Sequence, residues 1–353
     1  MEEPRGKVRT FRAALSYTDR EKDVIRKKFP MFANPILKNS MLNSEKLKGH
    51  LLILTANILF AINMPVSKYL LPLHVYPEAL TNIRMAFACV MFWITSLFVP
   101  NEKVTLKDLG QLFICALCGV GFNQGLFIWG LNTTSPVDAS IIATAVPIFV
   151  MILAALILKE PITRQKALGV LVGIAGAVSL ILQSTHHTGQ AGSLGGNLMI
   201  TFSGFIYSIY LVLSKPLTLK YSAVTMMKWM FLFSTLSVMP FTVSHVLDAP
   251  VFHHPTPDFQ EVSAVFFVLF GATFVPYLLI PMSLKRIRPT TVSMYNYVQP
   301  IIASLIAVCI GQDRFSLWKI LSAALVFVGV YLVTQSKSRD DIEKKTTWNG
   351  AKK

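Results

Sequence analysis

Charge is scarce in this chain, at 14% of 353 residues, where soluble domains carry about 25%. The scarcity is also uneven, because acids and bases sit between long apolar runs rather than within them. With 53% apolar residues and a mean hydropathy of +0.54, this excludes an ordinary water-soluble globule. Cysteine is sparse too. Cys89, Cys115, Cys118 and Cys309 all fall inside apolar runs, which argues against a disulfide framework. The Cys115-x-x-Cys118 pair has no nearby histidine and reads as packing rather than redox or metal chemistry. Also missing are an HExxH zinc helix, a P-loop, paired acids within an apolar run and any histidine at the middle of one. His186, His187, His253 and His254 fall in loops, with His74 and His245 near run ends. No metal or cofactor is expected.

What is present is length. A helix crosses hydrocarbon with about 20 mainly apolar residues, and ten stretches qualify: 49–70, 79–99, 108–130, 136–158, 164–183, 196–215, 223–245, 262–284, 289–311 and 316–335. The expected fold is an all-α polytopic membrane protein. Lys and Arg set its orientation, since cytoplasmic loops carry the excess. With the N-terminus inside, 28 of the 33 basic residues lie on the cytoplasmic side and one, Arg314, lies outside. The other four, Lys68, Arg84, Lys228 and Lys319, fall within span ends. Both termini are therefore expected in the cytoplasm. The net charge of +15 reflects topology and attraction to anionic lipid, so the expected partners are a lipid bilayer and a small-molecule substrate, not nucleic acid.

Residues 1–48 form a basic arm before the first span, and 336–353 a basic tail after the last. Glu2, Glu3, Asp19, Glu21 and Asp23 argue against an acid-poor transit peptide, and no apolar h-region precedes the first span. The segment "MLNSEKLKGHLL" from Met41 is a natural short start, so residues 1–40 read either as part of the arm or as an extension without function.

Between the arm and the tail the chain repeats itself. Shifting by 153 residues lays Pro136 on Pro289, Ser140 on Ser293, Pro147 on Pro300, Glu160 on Asp313, Lys166 on Lys319 and Gly176 on Gly329. At 147, Gly49 meets Gly196 and Ser67-Lys68 meets Ser214-Lys215; at 144, Arg84 meets Lys228. Loop lengths absorb the differences. The reading is two five-helix units, 49–183 and 196–335. Because five is odd, the second starts from the opposite side of the membrane, giving a 5+5 inverted-topology repeat. Such repeats build secondary transporters that alternate access between two halves.

The stretches "AVPIFVMILAALILKEPITRQKALGVLVGIAGAVSLI" and "YVQPIIASLIAVCIGQDRFSLWKILSAALVFVGVYLV" share a mid-span proline, an acid at the span end, a lysine and a small-residue span. In these, and in the ten-span layout over residues 49–335, the chain resembles the drug/metabolite transporter superfamily, EamA branch. The second copy departs locally, with Gln312-Asp313-Arg314 for Lys159-Glu160-Pro161 and Val326 for Gly173. The resemblance implies transport of small metabolites, often export of amino acids or related compounds. The expected location is the bacterial inner (plasma) membrane.

Within hydrocarbon each backbone polar group needs a partner, and a mid-helix proline frees a carbonyl. Pro147 and Pro300, at equivalent positions, are expected to bend their spans around a central cavity and to act as hinges. The candidate substrate-binding residues are uncharged and polar: Asn57 and Asn63 in the first span, Asn123 and Gln124 in the third, Tyr207 and Tyr210 in a stripe with Ser203 and Ser214, Tyr277 in the eighth, and Tyr295, Asn296 and Gln299 on one face of the ninth. Asp138, Arg84 and Lys228, near span ends, are candidate gate residues. No carboxylate sits near a span centre, so strong proton or sodium coupling is not supported. A pocket without a basic cluster suits neutral or zwitterionic molecules such as amino acids, exported or exchanged by alternating access. A polytopic membrane enzyme and a non-transporting membrane scaffold are the alternatives. The small face Gly169, Gly173, Gly176 suits close helix packing, within the protomer or at a homodimer. If residues 1–40 carry no function, their deletion leaves membrane insertion intact; loss of insertion in a fractionation assay overturns that reading.

Overall fold

The computed structural model describes residues 35–74, 77–133, 142–184, 194–247, 259–309 and 317–337. All regular elements among the described residues are helical. In chain order they are α1 (Pro35–His74), α2 (Pro77–Ser96), α3 (Leu106–Ala116), α4 (Phe122–Thr133), α5 (Val146–Ile157), α6 (Arg164–Ser184) and α7 (Leu194–Lys220). There follow α8 (Ala223–Leu247), α9 (Phe259–Phe266), α10 (Val275–Leu284), α11 (Pro289–Met294), α12 (Val298–Cys309) and α13 (Leu317–Gln335). Among the described residues, five runs are long and apolar enough to cross a membrane: Ala79–Ser96, Leu106–Phe127, Leu194–Lys220, Ala223–Pro240 and Phe259–Leu284. Val146–Ile157 and Ile320–Gln335 are shorter apolar helices.

Met1–Lys48 and Gly49–Lys353 are separate compact units. The described part of the first is the opening of α1, where Lys48 pairs with Glu45 at 2.8 Å. The second unit carries its polarity inward. Ser203, Ser208, Ser214, Ser234, Thr273, Ser283 and Ser293 are buried, whereas Val90, Trp93, Phe113, Leu171, Leu236, Phe266, Leu325 and Tyr331 are exposed. Soluble proteins seldom expose apolar surface on this scale; a bilayer is the solvent that suits it.

Helices pair in a definite pattern. α2 lies along α8, α6 along α13, and α5 against α11, while α7 packs on α3, α4, α5 and α10. The first pairing is filled by aromatics, with Phe92 at 5.4 Å from Phe231 and 4.6 Å from Phe274. The α6–α13 pairing depends on glycine. A Cβ on Gly329 would stand 2.6 Å from the Gly169 carbonyl oxygen and the Gly173 nitrogen, and one on Gly176 would stand 2.7 Å from the Ser322 carbonyl oxygen. The small face expected from the sequence is thus occupied within the chain by α13.

Polar clasps hold the helix ends. Thr105 caps α3 by accepting from the Asp108 N–H at 3.3 Å. The Asp108 carboxylate accepts from Lys220 Nζ at 2.9 Å and the Tyr221 hydroxyl at 2.7 Å, tying α3 to the end of α7. Lys215 Nζ donates to the carbonyls of Leu284 and Ile287, and Arg288 donates to those of Val333 and Ser336 at 3.1 and 3.0 Å. Cations at carbonyl ends are favourable for hydrogen bonding and for the helix dipole alike. Lys166, fully buried, pairs with Glu160 at 2.8 Å.

Two runs widen midway. α3 continues into α4 through the π-type turns Leu117–Gly121, and α9 into α10 through Phe267–Phe274. Shifted by 153 residues, the first falls on 270–274, inside the second. Extra residues of this kind re-aim side chains and often mark functional sites. Gly329→Leu forces α6 and α13 apart and costs about 3 kcal/mol on the scale of overpacked cores, read as a lower melting temperature in detergent. Gly110→Ala, with open space around it, leaves that temperature unchanged or raises it.

Candidate functional site

The site assembles where α1, α4, α7, α10 and the α11–α12 junction converge. On α7 the expected stripe forms: Ser203, Tyr210 and Ser214 are buried and Tyr207 is half-buried. The Tyr210 ring lies over Gly119, where a Cβ would come within 2.6 Å, so the widened turn of the α3–α4 run receives it. Its hydroxyl is fully buried without a hydrogen-bond partner. Tyr207 stands beside it, with ring centroids 5.7 Å apart. Ser214 Oγ turns back to the Leu211 carbonyl at 3.3 Å and serves its own helix.

The neighbouring amides of α4 diverge. Asn123 donates to Ser203 Oγ at 2.9 Å and to the Ser203 carbonyl at 3.0 Å, and Ser203 Oγ donates back to the Asn123 carbonyl at 2.9 Å. That is a closed interhelical clasp. Gln124 Nε2 instead donates to the Tyr277 hydroxyl at 2.7 Å, joining two positions separated by the repeat shift of 153. The Tyr277 ring meets Phe231 edge-on at 5.0 Å and Phe60 at 6.1 Å.

Phe60 leads to α1, where Asn57 is buried, donates to the Ile53 carbonyl at 2.9 Å and accepts from Gln299 Nε2 at 2.8 Å. Two turns earlier, His50 Nδ1 and the Tyr295 hydroxyl are 2.9 Å apart. Tyr295 and Gln299 thus share a face, as their spacing predicts, and that face meets α1. Asn63 lies further along α1 and Asn296 in the tight turn Tyr295–Tyr297, both half-buried.

Each proline follows a break in the α-helical hydrogen-bond ladder, a tightened turn whose backbone stays right-handed helical. Pro147 occupies the first turn of α5, where a missing N–H leaves no bond unmade. Ahead of it the chain makes a tight turn, Ala145 N–H to the Ile142 carbonyl at 2.9 Å. Pro300 is the third residue of α12, directly after the Tyr295–Tyr297 turn. The two breaks are bonded together: the buried Tyr297 hydroxyl donates to the Thr144 carbonyl at 2.8 Å.

Arg84 and Lys228, repeat mates in the sequence, end in different surroundings. Lys228 is buried with Nζ 5.2 Å from the centre of the Trp93 ring, a cation–π contact. Arg84 reaches inward instead. Its Nε donates to Thr273 Oγ1 at 2.7 Å and its Nη2 to the Ala272 carbonyl at 3.4 Å. Asp138 lies outside the described residues. Among the described residues no group of three or more His, Cys, Asp or Glu side chains comes together.

The pattern of EamA-like transporters matches residues 47–182 and again 194–335. The chain belongs to the EamA-like transporter family. Relatives include an uncharacterized transporter of Archaeoglobus fulgidus, 23% identical over 69% of this chain and 81% of its own. The uncharacterized transporter YyaM of Bacillus subtilis is 25% identical over 72% of this chain and 83% of its own. Protein WALLS ARE THIN 1 of Arabidopsis thaliana is 26% identical over 84% and 85% respectively. A crystal structure at 19% identity superposes with a TM-score of 0.65 over 83% of this chain and 96% of that one, a likeness of fold. The protein is an integral membrane transporter of the EamA type, not an enzyme.

His50, Thr273 and Tyr297 of this EamA-type transporter escape a reading of the sequence. Thr273 stands one turn before Tyr277 and Tyr297 adjoins Asn296, but neither stretch shows which other helix the side chain reaches, and His50 sits at the edge of its apolar run. One signal bears on Tyr297: Pro147, the repeat mate of Pro300, leaves its preceding turn short of a backbone donor, and Tyr297 supplies one to the Thr144 carbonyl in that turn. Tyr297→Phe removes this bond to the Thr144 carbonyl and costs about 1 kcal/mol, seen as a lower melting temperature. Tyr210→Phe, which removes a hydroxyl without a partner, costs nothing measurable in the same assay.

Proposed function

We propose that this EamA-type transporter is a secondary carrier that exports or exchanges small neutral or zwitterionic metabolites such as amino acids. Ten spans form two inverted units, 49–183 and 196–335, with the arm 1–48, the tail 336–353 and both termini in the cytoplasm. The halves alternate access around a site lined by Asn57, Asn63, Asn123, Gln124, Tyr207, Tyr210, Tyr277, Tyr295, Asn296 and Gln299. The observation that carries this reading is the 2.7 Å bond between Gln124 and Tyr277, which joins repeat-equivalent positions within an aromatic cluster. The pairing of α2 with α8, α6 with α13 and α5 with α11 supports it, since segments related by a two-fold axis meet where they cross it.

Pro147 and Pro300 serve as hinges because each starts a helix beside a break, where φ and ψ change at little cost. On the cytoplasmic side of this topology, Ser283 Oγ donates to the Gly49 carbonyl at 2.9 Å and Thr290 Oγ1 to Glu160 at 3.4 Å. These bonds tie the halves together at one mouth, as an inner gate does; Asp138, Arg84 and Lys228 are the gate residues of the proposal. The membrane is the bacterial inner (plasma) membrane in this reading, within a family whose relatives also include archaeal and plant proteins.

Flux of labelled amino acids in proteoliposomes tests the site. Gln124→Leu and Tyr277→Phe each lower the rate at least tenfold while thermal stability in detergent is retained. Unchanged flux when Tyr295, Asn296 and Gln299 are all replaced by Ala removes the ninth-span face from the site.

A further inference from the structure

Arg84 is the one charged side chain of the described residues whose functional group reaches the middle of the bundle without a carboxylate partner. Its partner Thr273 stands at the midpoint of the run Phe259–Leu284, so the guanidinium lies near the mid-depth of that segment. On α2 the buried stripe is Thr81, Met85, Ala88 and Phe92, and the opposite side, Ala86, Val90, Trp93 and Ile94, is exposed. Arg84, three residues after Thr81 and four before Ala88, belongs to the inward side, and it is half-buried there. Its guanidinium is directed to Thr273 and the Ala272 carbonyl of the neighbouring run.

Five N–H groups project from an arginine, and two of them are engaged here, by Thr273 and the Ala272 carbonyl. Thr273 is itself held, its hydroxyl donating to the Val268 carbonyl at 2.7 Å inside the widened turns, so the arginine is placed by a fixed group. Tyr277 stands one turn beyond Thr273 on the same run. The Tyr277 hydroxyl accepts from Gln124 and keeps its own proton to donate. Tyr207 and the unpartnered Tyr210 hydroxyl belong to the same core cluster as Tyr277, and each of these hydroxyls can donate. The repeat mate of Thr273 is Val120, which offers Lys228 no matching anchor. The feature belongs to one half only. Intramembrane charge is costly and is kept where it serves a pathway, and a planar guanidinium fits a carboxylate through paired N–H bonds.

We propose that Arg84 receives the carboxylate of an organic monocarboxylate, with the Tyr277 hydroxyl as a second donor and the apolar body of the molecule against Phe60 and Tyr277. This rests on the cluster above being the transport site, and revises its substrate class: zwitterions remain, neutral molecules fall out and simple carboxylate anions are added. The carboxylate is the recognised half of a zwitterion, and the amine is dispensable, because no acid of the described residues faces the site to hold an ammonium.

The test uses the full chain in detergent, with melting temperature read against 3-phenylpropionate, 3-phenylpropionamide, phenylalanine, phenethylamine and laurate. Both small acids stabilise the protein, and the amide and the amine require at least tenfold higher concentration for the same shift. Arg84→Gln abolishes the preference for acid over amide, and Arg84→Lys retains part of it. Equal response to acid and amide, no response to either small acid, or a preference for laurate overturns the proposal. If Arg84→Gln does not fold, the acid–amide comparison on the unaltered chain and on Thr273→Val decides. Flux separates the two claims: sensitivity to Gln124→Leu with no acid preference removes only the carboxylate, whereas insensitivity to Gln124→Leu, Tyr277→Phe and Arg84→Gln removes the site itself.

Discussion

A polar group inside hydrocarbon has no water to turn to, so it must bond within its helix or to a neighbour. Much of this structure answers that constraint. Serines and threonines bond back to their own helices, as Thr55 does to Leu51 and Thr201 to Asn197. Amides and tyrosines are longer and can reach across, though Asn57 also bonds back to Ile53. Asn123 to Ser203, Gln124 to Tyr277, Gln299 to Asn57 and Tyr297 to the Thr144 carbonyl each join two segments. These bonds are individually modest, about 1 kcal/mol or less in membranes, and they set register and orientation more than total stability.

Close backbone approach supplies what hydrogen bonding does not. Lipid gives no hydrophobic drive between apolar helices, so packing contact decides. Gly169, Gly173 and Gly329 let α6 and α13 meet at distances that a single methyl group would forbid. The buried Tyr297 ring lies against Gly173 and carries that rigid pair to the break before α12. Stiff pairing on one side and broken helices on the other is a layout suited to motion about the proposed hinges.

The proposed site lies where the rule of satisfaction is incomplete. The Tyr210 hydroxyl has no partner, Tyr277 retains a proton to donate, and Arg84 holds two anchors for five donors. Sequences whose local choices otherwise agree with the fold break their own rules mainly at functional sites. The convergence of three such groups around one aromatic patch is what separates this region from the closed clasp of Asn123 with Ser203.

The sequence by itself determined the helical membrane class and the family, because apolar run length, loop charge and repeated motifs are local or periodic properties. It also determined which uncharged polar residues stand out, since Gln124, Tyr277 and Gln299 contrast with apolar surroundings. Only the tertiary structure decided which of them meet. Adjacent Asn123 and Gln124 point to different helices because successive residues are turned about 100° on a helix. Pro147 and Pro300 each follow a tightened helical turn, because a proline has no N–H to continue the α-helical ladder and the turn ahead of it closes up instead. Arg84 read as a span-end cation because sequence distance measures depth along its own helix alone. Its guanidinium finds Thr273 at the middle of another run, a meeting that side-chain reach and the crossing of two helices decide and that no single stretch of sequence encodes.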